Sequence, residues 1–294
     1  MFKGDMLAGK RILVTGGGTG LGKVMAESYL RHGATVYIWG RRGGVLQDTA
    51  DELMQAHGGQ VIPQPVDIRD PQAIEAAVDE IFSEAPLDGL VNNAAGNFVS
   101  RTKDLSHRGF NAIASIVFHG SFYTTLDIGK RWIELGRPGS IISILTTWVW
   151  TGSPFVVPSS MSKAGLNSMT QSLAVEWGPH GIRLNAIAPG PFPTEGAWAR
   201  LNPGTEGRED DQLDPTANPM MRVGKMSELA NLALFLMSDG CDYLTGQTIA
   251  IDGAQHLANS GSFWRMVSLS DQDWEDMRNM IQQSNAADKA KRTT

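Results

Sequence analysis

The 294-residue sequence has a single cysteine, Cys241, which excludes an internal disulfide framework and a cysteine-rich metal site. One thiol also favours a reducing compartment, so we expect a cytoplasmic protein. No run of five or more like charges occurs, and the net charge is −6, so a nucleic-acid partner is not expected. The sequence also lacks a secretory signal pattern and any apolar stretch of about eighteen residues, so no membrane association is expected.

The sequence does contain a regular alternation of short apolar runs and amphipathic stretches. The apolar runs have the length of strands, and their near-continuous apolar character predicts burial on both faces. Strand–helix–strand units imply parallel pairing with right-handed crossovers. We therefore predict an α/β fold, a doubly wound Rossmann-type parallel sheet of about seven strands with helices on both faces. The predicted strands are Ile12–Thr15, Thr35–Trp39, Val61–Val66, Gly89–Asn92, Ser140–Leu145, Arg183–Ala188 and Thr248–Ile251.

Length and composition predict a single dinucleotide-binding catalytic domain over residues 1–294, because 41% hydrophobic residues can bury one large core. Residues 191–219 are rich in proline, glycine and acidic side chains and are too long for an ordinary connection, so a substrate lid is predicted there. Residues 283–294 are polar and without periodicity, which predicts a flexible tail.

A glycine-rich loop, Thr-Gly-Gly-Gly-Thr-Gly-Leu-Gly, separates the first predicted strand from the first predicted helix. Gly16, Gly20 and Gly22 allow backbone N–H groups and a helix N-terminus to meet the pyrophosphate of a dinucleotide. After the second strand, Arg41 and Arg42 stand where an acidic residue would bind a ribose 2′-hydroxyl. Because guanidinium groups suit a 2′-phosphate, the predicted cofactor is NADPH.

Five motifs in order resemble the short-chain dehydrogenase/reductase family over residues 9 to about 253. They are the glycine loop, Asp67 in Val-Asp-Ile, the Asn-Asn-Ala-Ala-Gly block that contains Asn93, Lys163 before Ala-Gly, and Pro189-Gly190. The resemblance implies that Asp67 contacts the adenine, Asn93 packs the cofactor side and Lys163 holds the nicotinamide ribose. It also implies that the segment Pro189–Phe192 runs past the carboxamide group of the nicotinamide. The predicted cofactor-binding residues are Gly16, Gly18, Thr19, Gly20, Leu21, Gly22, Arg41, Arg42, Asp67, Asn93, Lys163, Pro189, Gly190 and Phe192.

The sequence departs from that family at its catalytic acid. The family pattern is Tyr-x-x-x-Lys, and the residue four before Lys163 is Ser159. A serine hydroxyl is a much weaker acid than a phenol, whose pKa is about 10, and it is shorter by a ring. Thr146 occupies the place of the usual catalytic serine and keeps only a hydroxyl. The sequence therefore disfavours a ketone reductase and favours chemistry that needs hydrogen-bond donors, such as hydride addition to a C=C bond conjugated to a thioester.

Further segments resemble the 2,4-dienoyl-CoA reductase branch, which also has serine at this position. They are residues 16–23, the Asn-Asn-Ala-Ala-Gly-Asn-Phe-Val-Ser run, residues 152–163 with Phe-Val-Val-Pro, and residues 198–203. By that resemblance Asn97 holds the thioester oxygen, Phe98 lines the acyl slot and Ser159 lies against the substrate. The candidates for binding coenzyme A are Arg69, Ser106 and Arg200. Packing in the core remains open for Phe98, and a solvated surface position for each arginine.

Two positions depart from the dienoyl-CoA reductase branch and the wider family. Trp148 stands where the mitochondrial-type enzymes have a second oxygen-holding tyrosine. Its indole N–H can donate to an enolate but cannot exchange a proton, and an aromatic wall for the acyl chain is the alternative. His119 stands where the wider family usually has asparagine, so it is either a proton relay or a hydrogen-bonded structural substitute. The candidate catalytic residues are Asn97, Thr146, Trp148, Ser159 and Lys163, and no metal site is predicted.

These residues predict an NADPH-dependent reductase of an unsaturated acyl-CoA, with 2,4-dienoyl-CoA converted to 3-enoyl-CoA during unsaturated fatty-acid breakdown. Two alternatives remain: a carbonyl reductase that uses His119 or Thr146 as proton donor, and a dinucleotide-binding regulator with a decayed active site. Ser159 disfavours the first, and retention of Asn97 and Lys163 disfavours the second. The family resemblance implies a homotetramer, whose interfaces we expect on the helix Ser160–Trp177 and the strand Thr248–Ile251.

Overall fold

The computed structural model describes residues 2–194, 218–258 and 263–292. Within them, seven parallel strands form one sheet, and all seven predicted strands are confirmed with ends shifted by at most one residue. The strands are β1 (Arg11–Thr15), β2 (Thr35–Gly40), β3 (Gln60–Pro65), β4 (Gly89–Asn92), β5 (Gly139–Ile144), β6 (Ile182–Pro189) and β7 (Thr248–Ile251).

The strand order is β3-β2-β1-β4-β5-β6-β7. The chain builds outward from β1 to one edge and then returns to build from β4 to the other edge. Such a reversal opens a crevice at the carboxyl ends of the strands, where doubly wound sheets bind their ligands. The predicted doubly wound fold is therefore confirmed.

Helices cover the sheet on both of its faces. They are α1 (Gly20–Arg31), α2 (Gly43–His57), α3 (Pro71–Glu84), α4 (His107–Ala114), α5 (Ser121–Glu134), α6 (Trp148–Thr151), α7 (Val157–Trp177) and α8 (Met226–Met237). The chain also forms α9 (Gln255–Ala258) and α10 (Asp271–Arg292). A π-helical segment, Ser115–Gly120, joins α4 to α5. Adjacent strand residues point to opposite faces, so Val14 packs in the core beside α1, α2 and α8, while Leu13 packs beside α3, α5 and α7.

Helix α3 shows how the sequence specifies a helix boundary. The Asp70 side chain accepts hydrogen bonds from the backbone N–H groups of Gln72 at 3.0 Å and Ala73 at 3.3 Å. Pro71 occupies the first helical position, where no intrahelical N–H bond is lost. A side chain that caps two free N–H groups and a proline that costs no hydrogen bond therefore together fix the start of α3.

The chain divides into two compact units. The first comprises Met1–Glu206 and Val223–Asp252 and contains the whole sheet with α1 to α8. The second comprises Gly207–Arg222 and Gly253–Thr294 and contains α9 and α10. That residues 1–294 form one catalytic domain stays a prediction. Among the described residues, no helix combines the length and the apolar character needed to cross a membrane.

The last helix extends further than the sequence pattern indicated. Residues 283–292 have helical backbone, whereas the polar composition predicted an end without regular structure. The segment contains alanine, glutamine and lysine, which favour helical backbone without any apolar periodicity. An apolar periodicity reports a buried helix face, so a polar helical segment gives no such signal. The predicted flexibility of residues 283–294 stays a prediction.

Candidate active site

The glycine loop lies between β1 and α1 at the carboxyl edge of the sheet. Gly16 and Gly20 have φ of +65° and +55°, a region that side chains rarely adopt. A Cβ on Gly22 would lie 2.5 Å from the Asn93 amide nitrogen, so the helix approaches the loop more closely than any larger residue allows. Thr19 is the N-cap of α1 without a side-chain capping bond. The first N–H groups of α1 are therefore available to an anion.

Asn93 fixes the shape of this loop. Its amide nitrogen donates to the carbonyl oxygens of Thr15 at 3.0 Å and Gly16 at 3.2 Å. The Thr15 hydroxyl oxygen in turn accepts the backbone N–H groups of Asn93 and Ala94. Thr49 in α2 donates to the Gly18 carbonyl at 2.8 Å. Asn93 thus acts on the loop itself, and its predicted contact with the cofactor stays a prediction.

The ends of β2 and β3 bring Arg41 and Arg69 close to the Asp67 carboxylate. Arg69 binds Asp67 through its Nε atom at 2.9 and 3.0 Å from the two carboxylate oxygens, and through its Nη2 atom. These hydrogen bonds hold the pKa of Asp67 below its usual range, and the positive charge of Arg41 acts in the same direction. Arg42 is the N-cap of α2. Asp67 is thus ionised and oriented, and Arg69, predicted to bind coenzyme A, is engaged with it.

Lys163 and Ser159 lie one helical turn apart in α7, and both are buried. The Lys163 ammonium donates to the carbonyl oxygen of Ile144 at the end of β5. Burial lowers the pKa of Lys163 to about 8. An ammonium has three donors, and in the described part of the chain the Ile144 carbonyl is its only acceptor. Two donors are therefore left for a ligand.

Replacing Lys163 with methionine should raise the free energy of unfolding of the cofactor-free protein by about 1–2 kcal/mol at pH 7. The folded lysine loses its proton near pH 8, while the unfolded one keeps it up to about 10.5. The penalty for burying the charge is therefore constant below pH 8 and disappears as the pH rises to 10.5. The gain in the free energy of unfolding is less than the full cost of burying the ammonium, because the Ile144 carbonyl loses its hydrogen-bond donor.

Urea denaturation of the wild type and Lys163→Met at several pH values measures this effect. The difference in free energy between the two proteins should narrow between about pH 8 and 10.5. A difference that stays constant over that window would mean that Lys163 keeps its proton when folded.

The segment after β6 is held against the end of β7. Gly190 donates its N–H to the Ile251 carbonyl at 3.0 Å, and a Cβ on Gly190 would lie 2.6 Å from the Asp252 Cβ. The Phe192 ring is buried in the core beside Gly224. Pro189 is the last residue of β6. Contact of this segment with the nicotinamide stays a prediction.

Thr194 is a site residue that sequence reasoning missed. Its Cγ2 atom lies 3.5 Å from the position of a Cβ on Gly20, so it faces the phosphate loop from the segment after β6. Its hydroxyl oxygen lies 4.0 Å from the same position. The available signal was its place five residues after Pro189, at the carboxyl end of a strand.

Asn97 has one half of its amide occupied and the other half open. Its oxygen accepts the backbone N–H of Phe98 at 2.9 Å. This fixes the NH₂ group as the part left to donate, and within the described residues it has no acceptor. Phe98 packs against the apolar cluster of Ile113, Val117, Leu145, Leu166, Ala186 and Ala188. Asn97 is therefore a hydrogen-bond donor beside this apolar cluster, which we call the apolar floor.

Two predicted catalytic residues, Trp148 and Thr146, and the predicted substrate residue Ser106 precede or follow the segments that form this floor. Trp148 is half-buried at the first position of α6, and within the described residues its indole N–H has no acceptor. Thr146 is half-buried just after β5. Ser106 is the N-cap of α4, and its hydroxyl oxygen accepts the Gly109 N–H at 3.1 Å. Contact of Ser106 with coenzyme A stays a prediction.

Two other predictions concern His119 and Arg200. The His119 side chain is exposed, and its ring lies 5.5 Å from the Phe118 ring and 6.0 Å from the Tyr123 ring. Both the proton relay and the hydrogen-bonded structural substitute stay predictions for His119. Arg200 and residues 198–203 lie outside the described residues, as does most of the predicted lid, residues 195–217. Among the described residues no cluster of three metal-ligating side chains is found.

A family model described as Enoyl-(Acyl carrier protein) reductase matches residues 16–256, which include the glycine loop, Asn97 and Lys163. The chain belongs to the short-chain dehydrogenase/reductase family. This confirms the resemblance that the motifs indicated.

Curated relatives share most of the chain. It is 43% identical to a probable 2,4-dienoyl-CoA reductase of Caenorhabditis elegans, named as (3E)-enoyl-CoA-producing, over 96% of this chain and 92% of the relative. It is 37% identical to a probable 2,4-dienoyl-CoA reductase of Bacillus subtilis, named as (2E)-enoyl-CoA-producing, over 84% and 97%. The predicted similarity to the dienoyl-CoA reductase branch is therefore confirmed.

Solved structures show the same fold. A short-chain dehydrogenase from Bacillus anthracis is 39% identical with a TM-score of 0.74, covering 84% of this chain and 96% of that one. A putative 2-deoxy-D-gluconate 3-dehydrogenase from Agrobacterium tumefaciens with bound NADP is 29% identical with a TM-score of 0.77, covering 86% and 99%.

Proposed function

We propose that the protein reduces a 2,4-dienoyl-CoA to a 3-enoyl-CoA with NADPH as hydride donor. The observation that carries this proposal is the Asn97 amide, whose oxygen is held by Phe98 so that its NH₂ group is left to donate. Reduction of a C=C bond conjugated to a thioester places negative charge on the thioester oxygen, which needs donors rather than an acid. Ser159, at the position of the family's phenol, is consistent with that need.

The glycine loop and its surroundings fit a dinucleotide. A Cβ on Gly16 would lie 2.9 Å from the Ala94 Cα, so only glycine lets the loop pack this closely against the segment after β4. Its N–H groups bind the pyrophosphate, together with Leu21 at the start of α1. Asp67 binds the adenine, and Arg41 and Arg42 bind the 2′-phosphate. When bound, the reduced nicotinamide supplies the hydride.

The other residues of the site hold the substrate and the charge that develops on it. The Asn97 amide and the Trp148 indole each donate an N–H to the thioester oxygen, which stabilises the enolate. The two open donors of the Lys163 ammonium hold the nicotinamide ribose hydroxyls. Ser159 and Thr146 position the acyl group, and a proton from solvent is added to a carbon of the enolate to give the product. Phe98 lines the acyl slot, and Arg69, Ser106 and Arg200 bind coenzyme A.

A substrate panel tests this proposal. The purified protein is mixed with NADPH and, separately, a 2,4-dienoyl-CoA, a 2-enoyl-CoA and a ketone, and the absorbance of the reduced nicotinamide is followed. We expect the dienoyl-CoA to be reduced with the highest kcat/KM, and chromatography to identify a 3-enoyl product. Preferred reduction of the ketone would establish a carbonyl reductase, and binding of NADPH without turnover would establish a regulator.

Replacing Arg41 with alanine should raise the KM for NADPH about tenfold, because a charge-assisted hydrogen bond to phosphate contributes about 1.5 kcal/mol at an exposed site. The KM for NADH should stay nearly constant, since NADH has no 2′-phosphate. Steady-state kinetics with both cofactors measures the effect. Arg31→Ala, an exposed arginine at the end of α1, is the control and should alter neither constant. Equal losses with both cofactors in Arg41→Ala would contradict the assignment.

We also propose a homotetramer that uses α7 and β7 as interfaces. Val175 in α7 is 81% exposed and Met161 in the same helix is 56% exposed. Strand β7 is at the edge of the sheet and only partly buried. Such apolar and edge surfaces are typical of subunit contacts. Light scattering should give four times the chain mass of 31.8 kDa, and Val175→Glu should lower it.

The proposed setting is unsaturated fatty-acid breakdown in the cytoplasm. It rests on the proposed substrate and on the single buried thiol, Cys241, which suits a reducing compartment. Cell fractionation with an antibody to the protein tests it, and a signal confined to a membrane-bound organelle would contradict it.

A further inference from the structure

Phe155 has a backbone conformation that its residue type disfavours. Its φ is +66°, and only Met221 and Ala254 share a positive φ among the non-glycine residues described. For a bulky side chain such a φ is an outlier, because the Cβ crowds the backbone. Strain of this kind persists where the surroundings enforce it and is concentrated at ligand sites.

A single hydrogen bond ties Phe155 to the loop of Asn97. The Phe155 carbonyl accepts the backbone N–H of Ser100 at 2.8 Å. Ser100 lies three residues after Asn97, and Phe155 lies four residues before Ser159. The bond therefore joins the segment that carries the proposed oxygen donor to the segment that carries the serine. The three residues from Asn97 to Ser100 span at most about 10 Å, and Phe155 lies one hydrogen bond beyond Ser100.

The Phe155 ring is not used to fill the core. It is 51% exposed, and Val99, the residue before its hydrogen-bond partner, is 44% exposed. The apolar cluster under Phe98 lies beneath the same loop. In the free protein, this aromatic ring is half exposed, so much of its apolar surface stays in contact with water. It gains apolar contact when a hydrocarbon chain lies against it.

We propose that Phe155 forms the wall for the distal part of the acyl chain and sets the preference for chain length. This inference rests on the proposed dienoyl-CoA reductase function. Asn97 holds the thioester, so the carbons close to it are positioned by the catalytic residues. Carbons beyond the dienoyl group extend past Ser100 and contact the Phe155 ring. Short substrates end before they reach it.

The test compares 2,4-hexadienoyl-CoA with 2,4-decadienoyl-CoA in the wild type and three variants. Phe155→Asn removes the ring but keeps a residue that tolerates positive φ. It should lower kcat/KM for the longer substrate about tenfold, the range that apolar contacts in a pocket provide, and change that for the shorter one by less than about twofold. Phe155→Leu keeps an apolar side chain and should lose less than about threefold with either substrate.

Phe155→Gly separates the ring from the backbone, because glycine adopts positive φ without strain. It should reproduce the length-dependent loss of Phe155→Asn and keep the melting temperature at or above that of the wild type. Equal losses with both substrates, or no loss with either, would overturn the inference. If the wild type reduces neither dienoyl-CoA, the proposed function itself fails. If the wild type reduces both and the variants show no length dependence, only the role of Phe155 fails.

Discussion

Asn97→Ala should lower kcat by roughly 10²–10³ while leaving KM almost unchanged. The Phe98 N–H occupies the amide oxygen, so the NH₂ group is the one that meets the thioester oxygen. Its hydrogen bond strengthens as negative charge collects on that oxygen, and it is therefore worth more in the transition state than in the bound substrate. Single-turnover measurements with NADPH and a 2,4-dienoyl-CoA isolate the chemical step.

Two neighbouring variants serve as controls for Asn97→Ala. Trp148→Phe keeps the aromatic ring and deletes the N–H, so a reduced kcat identifies the indole as the second donor and a normal kcat assigns it to packing. Ser159→Ala should have a mild effect, because serine only positions the substrate. A loss in Ser159→Ala as deep as that in Asn97→Ala would show that the hydroxyl takes part in the chemistry.

The sheet could be predicted because its signals are local. Each strand is an apolar run with few polar interruptions, and the α3 N-cap needs only Asp70 and the proline after it. Loop glycines such as Gly16 are likewise required by the backbone at their own positions. The replacement of a tyrosine by Ser159 is visible from its spacing to Lys163 alone.

Other features of the site depend on contacts between distant segments. Thr194 faces Gly20 across 174 residues of chain, and the Phe155 carbonyl accepts the Ser100 N–H across 55 residues. Such contacts require the assembled sheet, which brings the ends of different strands to one edge.

Gly22→Ala should raise the Kd for NADPH about a hundredfold, which corresponds to about 2.7 kcal/mol. The new methyl group would meet the Gly16 carbonyl oxygen and the Asn93 amide nitrogen, and both belong to the hydrogen-bonded frame of the loop rather than to a flexible side chain. The start of α1 must then move away from the loop, and its N–H groups no longer converge on the pyrophosphate. Overpacking should also lower the free energy of unfolding by about 1–3 kcal/mol, so binding is measured by fluorescence titration well below the melting temperature. Gly178→Ala is the matched control, because a Cβ there has nothing within 4 Å, and it should leave NADPH binding unchanged. If Gly22→Ala binds NADPH as tightly as the control does, the loop does not bind the pyrophosphate.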